Sequence, residues 1–433
     1  MRSTDVEEAR LMATVASAGS RAAWLHALRW GTFRRVWSAA TVQQFGYWFS
    51  SIALQWLTAV ATDHDALTLS LLYFVMLLPL LLLSLPAGVL ADVRDRRHVL
   101  LSTQLAVVVI STTMAVLVFL DRAPVWALMA GGFAIGSAHA VSMPASQALV
   151  ADTVPAGDLR GAVLLQTIGM NLARILGPAL AGVLIVAWSG AGSLLVYGAL
   201  GVVSLLVLRR PVAKEREKAR QSEKGRVRAG WRHAASRPPA ATALATVAVT
   251  SVFAASYLAQ TPVLANLVSD DPRAFPALTS SGGVGALIGV LTVALRRPAA
   301  PSVRPAAVLL VLLSGTVMGL GASRVLWLSM LLIGTATALQ FGVMTHCNAV
   351  IQQVIANTHR GRVMSLYGLC WGGLLPVGGL LLGVGWHFVG PTAALSASGC
   401  VSLTFAVHLL TRERGRPRNT TGAGHRGPAP EQR

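Results

Sequence analysis

The sequence predicts an all-α membrane protein, with twelve transmembrane helices arranged as two pseudo-symmetric halves of six. Three observations carry this. Apolar residues make up 54% of the 433 and charged residues only 12%, with a mean hydropathy of +0.60. A soluble domain needs about 25% charged residues to dress its surface, so this surface faces something other than water. The apolar residues come in blocks long enough to cross a bilayer, and the basic residues fall between the blocks in a one-sided pattern.

A membrane helix needs about 20 mostly apolar residues. Such blocks run at 36–61, 68–91, 98–120, 124–150, 162–188 and 191–208, then at 240–265, 274–295, 304–322, 324–351, 363–385 and 389–411. The chain therefore divides into a tail at 1–35, a six-helix half at 36–208, a linker at 209–239, a second half at 240–411 and a Gly-, Pro- and Arg-rich tail at 412–433, expected to be disordered. The linker holds all three lysines and eight arginines. The first 35 residues are polar and basic, so no cleavable signal peptide is expected.

The net charge of +19 suggests nucleic-acid binding until the charges are located. Of 36 Lys and Arg, 32 lie in the termini and even-numbered connections; Arg122, Arg273 and Arg324 alone lie in odd-numbered ones, and Arg174 lies inside a helix. Basic residues resist translocation and mark cytoplasmic loops. The charge thus predicts both termini and the linker in the cytoplasm of a multi-pass inner-membrane protein. It argues against a nucleic-acid partner. Cys347, Cys370 and Cys400 are isolated, with no spacing for metal or redox chemistry.

The halves echo one another at an offset of about 200 residues: Gly88 and Arg96-Arg97 against Gly289 and Arg296-Arg297, and Arg160-Gly161 against Arg360-Gly361. Repeated halves are a transporter architecture, with the substrate site near the midplane between them. The connection after the second helix reads Gly88-Val-Leu-Ala-Asp92-Val-Arg94-Asp95-Arg96-Arg97. Gly88 would permit close helix packing, and Asp92 is a carboxylate suited to a neighbouring helix N-terminus. This resembles the loop 2–3 signature of the major facilitator superfamily, with Val93 and Asp95 departing from its usual basic residue and glycine. The resemblance implies a conformational latch of Gly88, Asp92, Arg94, Arg96 and Arg97, joined by Asp152, Arg360 and Arg362. The stretch from Met143-Pro144 to Asp158-Leu-Arg160, and its counterpart from Asn348 to Ser365, resemble the macrolide-efflux and siderophore-export branch, the transmembrane secretion effectors. The likeness covers residues 33–411.

The fifth helix carries Gly169, Gly177-Pro178 and Gly182. Glycines and a proline at this spacing bend a helix and let it approach a neighbour. The pattern resembles the fifth-helix motif of the superfamily's drug:proton antiporters. That resemblance implies secondary-active efflux of amphipathic small molecules such as antibiotics, siderophores or other metabolites, by alternating access and proton antiport. Import of a nutrient, or a non-transporting scaffold, are the alternatives.

Polar side chains at bilayer depth are costly and face a cavity or a partner. Arg174 lies three residues after Asn171 and about fourteen after Arg160, near mid-membrane. A substrate contact and a structural strut are both open for it. In the first helix Gln44, Trp48, Ser51 and Gln55 share a stripe with Tyr47 beside it, a lining suited to amphipathic ligands. His139, Gln340, His346, Tyr257 and Gln260 complete the candidates, with a hydrogen-bonded structural role the competing reading for the histidines. All seventeen acidic residues lie in loops, tails or helix ends. Proton-coupled exporters commonly use a carboxylate whose pKa is raised by desolvation, and here Asp63, Asp65, Asp92, Asp152, His139 and His346 are the candidates in its place. No metalloprotease, phosphate-loop or nucleophile-elbow motif occurs. No enzyme activity, cofactor or metal is expected. The expected partners are a small molecule, the lipid bilayer and protons, and the expected state is a monomer.

Overall fold

A computed structural model describes residues 23–155, 157–209, 236–295, 302–355, 363–364 and 366–414, apart from the side chains at 23, 24, 84, 85, 92, 294, 413 and 414. A short 3-10 helix at Ala23–Arg29 leads into α1 (Gly31–Ala61), α2 (Ala66–Val93), α3 (Arg96–Phe119), α4 (Val125–Asp152) and α5 (Leu159–Leu208). After the linker come α6 (Pro238–Val249), a π turn at Thr250–Ala254, a 3-10 turn at Ser256–Gln260 and α7 (Thr261–Val268). Helices α8 (Ala274–Ala294), α9 (Arg304–Ala322) and α10 (Leu326–Val354), a π turn at Leu369–Gly373 and α11 (Leu375–Arg414) complete the described chain.

Nine stretches among the described residues are long and apolar enough to cross a membrane. Two of them, Leu159–Leu208 and Leu366–Arg412, are 50 and 47 residues long, about twice one span. Both reverse in the middle. In α5 the break is Trp188 and Ser189, the latter at φ 64°, with the Ser189 hydroxyl accepting from the Ala191 N–H at 3.3 Å. In α11 it is Gly390 at φ 78°, a conformation that glycine adopts without a Cβ clash, followed by Pro391. Counting both arms turns nine stretches into eleven segments. Helix α1 supplies a twelfth of spanning length, 31 residues, whose Gln43, Gln44, Ser50, Ser51 and Gln55 dilute its hydropathy. The segments the sequence separates at 188–191 and 385–389 are therefore joined by one- or two-residue reversals. The second-half span expected at 240–265 is a helix interrupted by π and 3-10 turns.

Packing repeats between halves. In the first, α1 lies on α5, α2 on α4, and α3 on α5; in the second, α8 lies on α10 and α9 on α11. Two seams join the halves, α2 against α11 and α5 against α8. Helix α8 is glycine-rich because it has backbone on both sides. A Cβ at Gly283 would stand 2.7 Å from Ile175 Cα of α5, and one at Gly285 or Gly289 would fall within about 2 Å of the Gly334 or Ala338 carbonyl oxygen of α10. Small residues that let membrane helices touch along their backbones gain dispersion contact where no hydrophobic driving force exists.

Candidate functional site

Arg174 projects from the first arm of α5 and is half-buried. Its guanidinium carbon lies 4.7 Å from the centre of the Phe341 ring on α10, so a first-half cation rests on a second-half aromatic. Phe341 meets Trp371 edge to face at 6.2 Å between centroids, extending the aromatic wall. Among the described residues, no carboxylate or hydrogen-bond acceptor meets the guanidinium. A cation–π contact is worth about 0.5–2 kcal/mol, whereas withdrawing one ion from water costs several kcal/mol even after relaxation. The ring steers this charge without neutralising it.

One turn along α5, Gly177 lies beneath Trp48, whose Cβ would be 2.7 Å from a Cβ there. Gly169 lies beneath Thr41 in the same way, and Gly182 beneath Pro276 of α8. Pro178 is buried within the helix. Trp48 is 6.4 Å from Tyr47, and Tyr47 stacks on His139 of α4 at 3.9 Å between ring centres and 14° between planes. Two groups of contacts thus meet on the first arm of α5: Arg174 with Phe341 and Trp371 across the halves, and Gly177 with Trp48, Tyr47 and His139 within the first half.

The other sequence candidates lie in separate places. Gln340 and Tyr257 belong to the second half's own core: the Tyr257 hydroxyl is 2.8 Å from the Thr337 hydroxyl and donates to Gln340 Oε1 at 3.4 Å, and all three residues are buried. Gln55 donates to the Ser51 carbonyl and hydroxyl at 3.2 and 3.3 Å, and Asn171 to the Thr167 carbonyl at 2.9 Å, each along its own helix. The bonded glutamine between α1 and α4 is Gln43, donating to Ser142 at 2.8 Å, and its neighbour Gln44 is half-buried. His346 is 2.9 Å from the Ser302 carbonyl, a structural tie.

Gln260 joins the halves at the end away from the termini, donating to the Ala66 carbonyl at 3.0 Å and to the Ser70 hydroxyl. Close by, His387 Nδ1 is 3.9 Å from Asp65. Burial opposes ionisation of Asp65, but the Thr68 hydroxyl and N–H and the His387 charge more than compensate and hold the carboxyl below its usual range.

At the opposite end Arg96 spans the loop between α2 and α3, donating to the Ala91 carbonyl at 3.2 Å, the Ala148 carbonyl at 3.3 Å and the Asp152 carboxylate. Arg97 donates to the Leu208 carbonyl at 2.7 Å and to that of Arg209, capping α5 with a cation where its dipole is negative. Asp158 receives the Trp30 indole N–H at 2.8 Å and lies 3.7 Å from Arg29. Arg94 is exposed and interacts. The Asp92 side chain, Arg360 and Arg362 lie outside the described residues. The expectation for Gly88 needs correction: a Cβ there would meet open space. The packed face of α2 at this level carries Ala87 and Ala91, both 2% exposed, and Gly88 points away from it.

Single-sequence reading missed Phe341, Trp371, Gln43, Ser70 and His387. Phe341 adjoins Gln340, but nothing in its local pattern tells an aromatic that meets a cation from one that packs.

Two halves of packed helices, joined along two seams, are the build of a membrane transporter of the major facilitator class. A family model described as transmembrane secretion effector matches residues 22–426, and the chain belongs to that family. The Staphyloferrin A transporter of Staphylococcus aureus (strain NCTC 8325 / PS 47) is 28% identical over 163 residues, 37% of this chain and 41% of that protein. The uncharacterized MFS-type transporter YfiS of Bacillus subtilis (strain 168) is 26% identical over 152 residues, 35% of each. The aligned parts thus span about two fifths of the first relative and about a third of the second. Among solved structures, the nucleoside transporter NupG superposes with a TM-score of 0.68 at 13% identity, covering 89% of this chain and 100% of that one. A bacterial homolog of the human lysosomal transporter Spinster, inward-facing and unoccupied, gives 0.62 at 12% identity, covering 88% and 95%. At such identities the likeness shows the fold.

Proposed function

We propose that the chain is a secondary-active exporter of amphipathic small molecules bearing an anionic group, working by alternating access in exchange for protons. The supporting observation is Arg174, a half-buried cation that bridges the halves onto Phe341 and meets no acceptor among the described residues. A carboxylate or similar group would supply the missing charge partner, and the Phe341, Trp371, Trp48 and Tyr47 rings would take the apolar body. The Staphylococcus aureus relative, named for staphyloferrin A, supports a siderophore or comparable metabolite as cargo. The glycine motif at Gly169, Gly177-Pro178 and Gly182 supports export, and the 32 basic residues on one side support cytoplasmic termini. In that orientation the Gln260 and His387 contacts form the outer gate, and the Arg96–Asp152 pair belongs to the inner latch.

The test is accumulation of candidate compounds in cells expressing the protein or an empty vector. Export lowers intracellular compound. A rise replaces export with import, and no movement of any compound in either direction removes transport.

A further inference from the structure

The proposed exchange needs a group that binds a proton inside the membrane, and the carboxylates do not provide one. Among the described side chains, Asp63, Asp65, Asp95, Asp121, Asp152, Asp158, Asp270 and Asp271 all lie at helix ends or in turns. Two histidines lie well inside helices of the bundle, and their surroundings differ. His346 is tied to the Ser302 carbonyl at 2.9 Å. His139 has no such tie. Its Nδ1 is enclosed by protein and has no hydrogen-bond partner among the described residues. One face of the ring lies flat on Tyr47 at 3.9 Å.

A histidine kept for structure has its ring nitrogens hydrogen-bonded, which fixes tautomer and orientation. His139 lacks that, although suitable groups are adjacent: the Ser142 hydroxyl donates to the His139 backbone carbonyl at 3.1 Å and accepts from Gln43. We propose that His139 is the proton-binding group of the transport cycle, an assignment that rests on the proton-exchange reading above. The step is a simple protonation. The imidazole lone pair takes a proton, and the ring becomes an imidazolium cation over the Tyr47 face. A shift of α1 against α4 changes the contact between the ring and the Tyr47 face, and with it proton affinity.

The ionisable groups that neighbouring helices contribute within their spans are Tyr47 from α1, Tyr73 from α2, and Arg174 and Tyr197 from α5; α3 contributes none beyond His98. Arg174 alone is charged at neutral pH. It lies one turn before Gly177, on which Trp48 packs, and Trp48 adjoins the Tyr47 that stacks on His139.

The experiment needs no known substrate. Spin labels at Arg122→Cys and Asp270→Cys, in a Cys347→Ala, Cys370→Ala, Cys400→Ala background, report the far-end separation of the halves in liposomes from pH 5 to 8. The expected result is a sigmoidal population shift in the unsubstituted protein, abolished by His139→Gln and unchanged in midpoint by His346→Gln and His387→Gln. His139→Glu restores a titration with a different midpoint, because a titratable group is back in place. If His139→Gln does not fold, Tyr47→Leu, which removes the π face, should move the midpoint to lower pH. A shift that persists in His139→Gln, or a midpoint unmoved in Tyr47→Leu, overturns the assignment. A pH-insensitive unsubstituted protein overturns proton coupling itself.

Discussion

Replacing Arg174 with glutamine removes a cation that meets the opposite half while keeping a polar, similarly shaped side chain. The guanidinium has an aromatic face at 4.7 Å on one side and no acceptor among the described residues on the other. A hydrogen bond to a charged partner contributes about 1.5–3 kcal/mol. A bare charge pair at 4 Å with an effective dielectric of 20 reaches about 4 kcal/mol before desolvation is subtracted. Taking the lower range, Arg174→Gln weakens binding of an anionic amphiphile roughly 10- to 150-fold, at about 1.4 kcal/mol per decade. Arg174→Lys keeps the charge and loses the planar fork, and falls between the two. The assay is calorimetric titration of the purified protein with cholate, its neutral methyl ester and the tetraphenylphosphonium cation. Cholate should bind best to the unsubstituted protein and lose most in Arg174→Gln, with the ester nearly indifferent. Tighter binding of the cation than of cholate, or a cholate affinity within twofold after the substitution, would refute the reasoning.

Gly285→Ala sets a Cβ 1.9 Å from the Gly334 carbonyl oxygen. Overpacking of this kind costs about 1–3 kcal/mol, seen as a lower Tm; an unchanged Tm would mean α8 and α10 separate freely. Arg96→Ala leaves Asp152 and two carbonyls without their donor, and reduced thermal stability of the purified protein, recovered in part by Arg96→Lys, is expected. Asp65→Ala removes the N-cap of α2 and the His387 partner, an N-cap loss of about 0.5–2 kcal/mol. Because the folded carboxyl is held below its ordinary value, its contribution is present above the unfolded pKa and fades as pH falls through the folded one. The Tm gap to the unsubstituted protein should therefore narrow at strongly acid pH, and a constant gap would show that the carboxylate charge is not involved. His64 behaves differently: burial lowers its pKa against a smaller raising effect of Asp63. Its neutral form is the native one, so its contribution is complete above pH 6.5 and declines below. His64→Gln should flatten the fall in Tm between neutral and mildly acid pH.

The membrane class, the two halves and the family were legible because each is written in local or periodic terms. A span is a run of apolar residues, a side of the membrane is a count of arginines, and a repeat is an offset. Arg174 was legible for the same reason, since one cation in an apolar run is conspicuous anywhere. What surrounds it was not. Gln340 and Phe341 are neighbours in sequence, yet the first bonds to Tyr257 in its own half and the second carries the cation of the other half. A helix turns about 100° per residue, so a one-residue difference decides whether a side chain faces the core or the centre. Only the packing of the bundle sets that angle. The two histidines are a similar case. Both are single polar residues in apolar helices, and sequence treats them alike. Tertiary structure ties His346 to Ser302 and leaves His139 stacked on Tyr47 with an enclosed, unpartnered nitrogen, because hydrogen-bond partners come from other helices and chain spacing does not encode their distance.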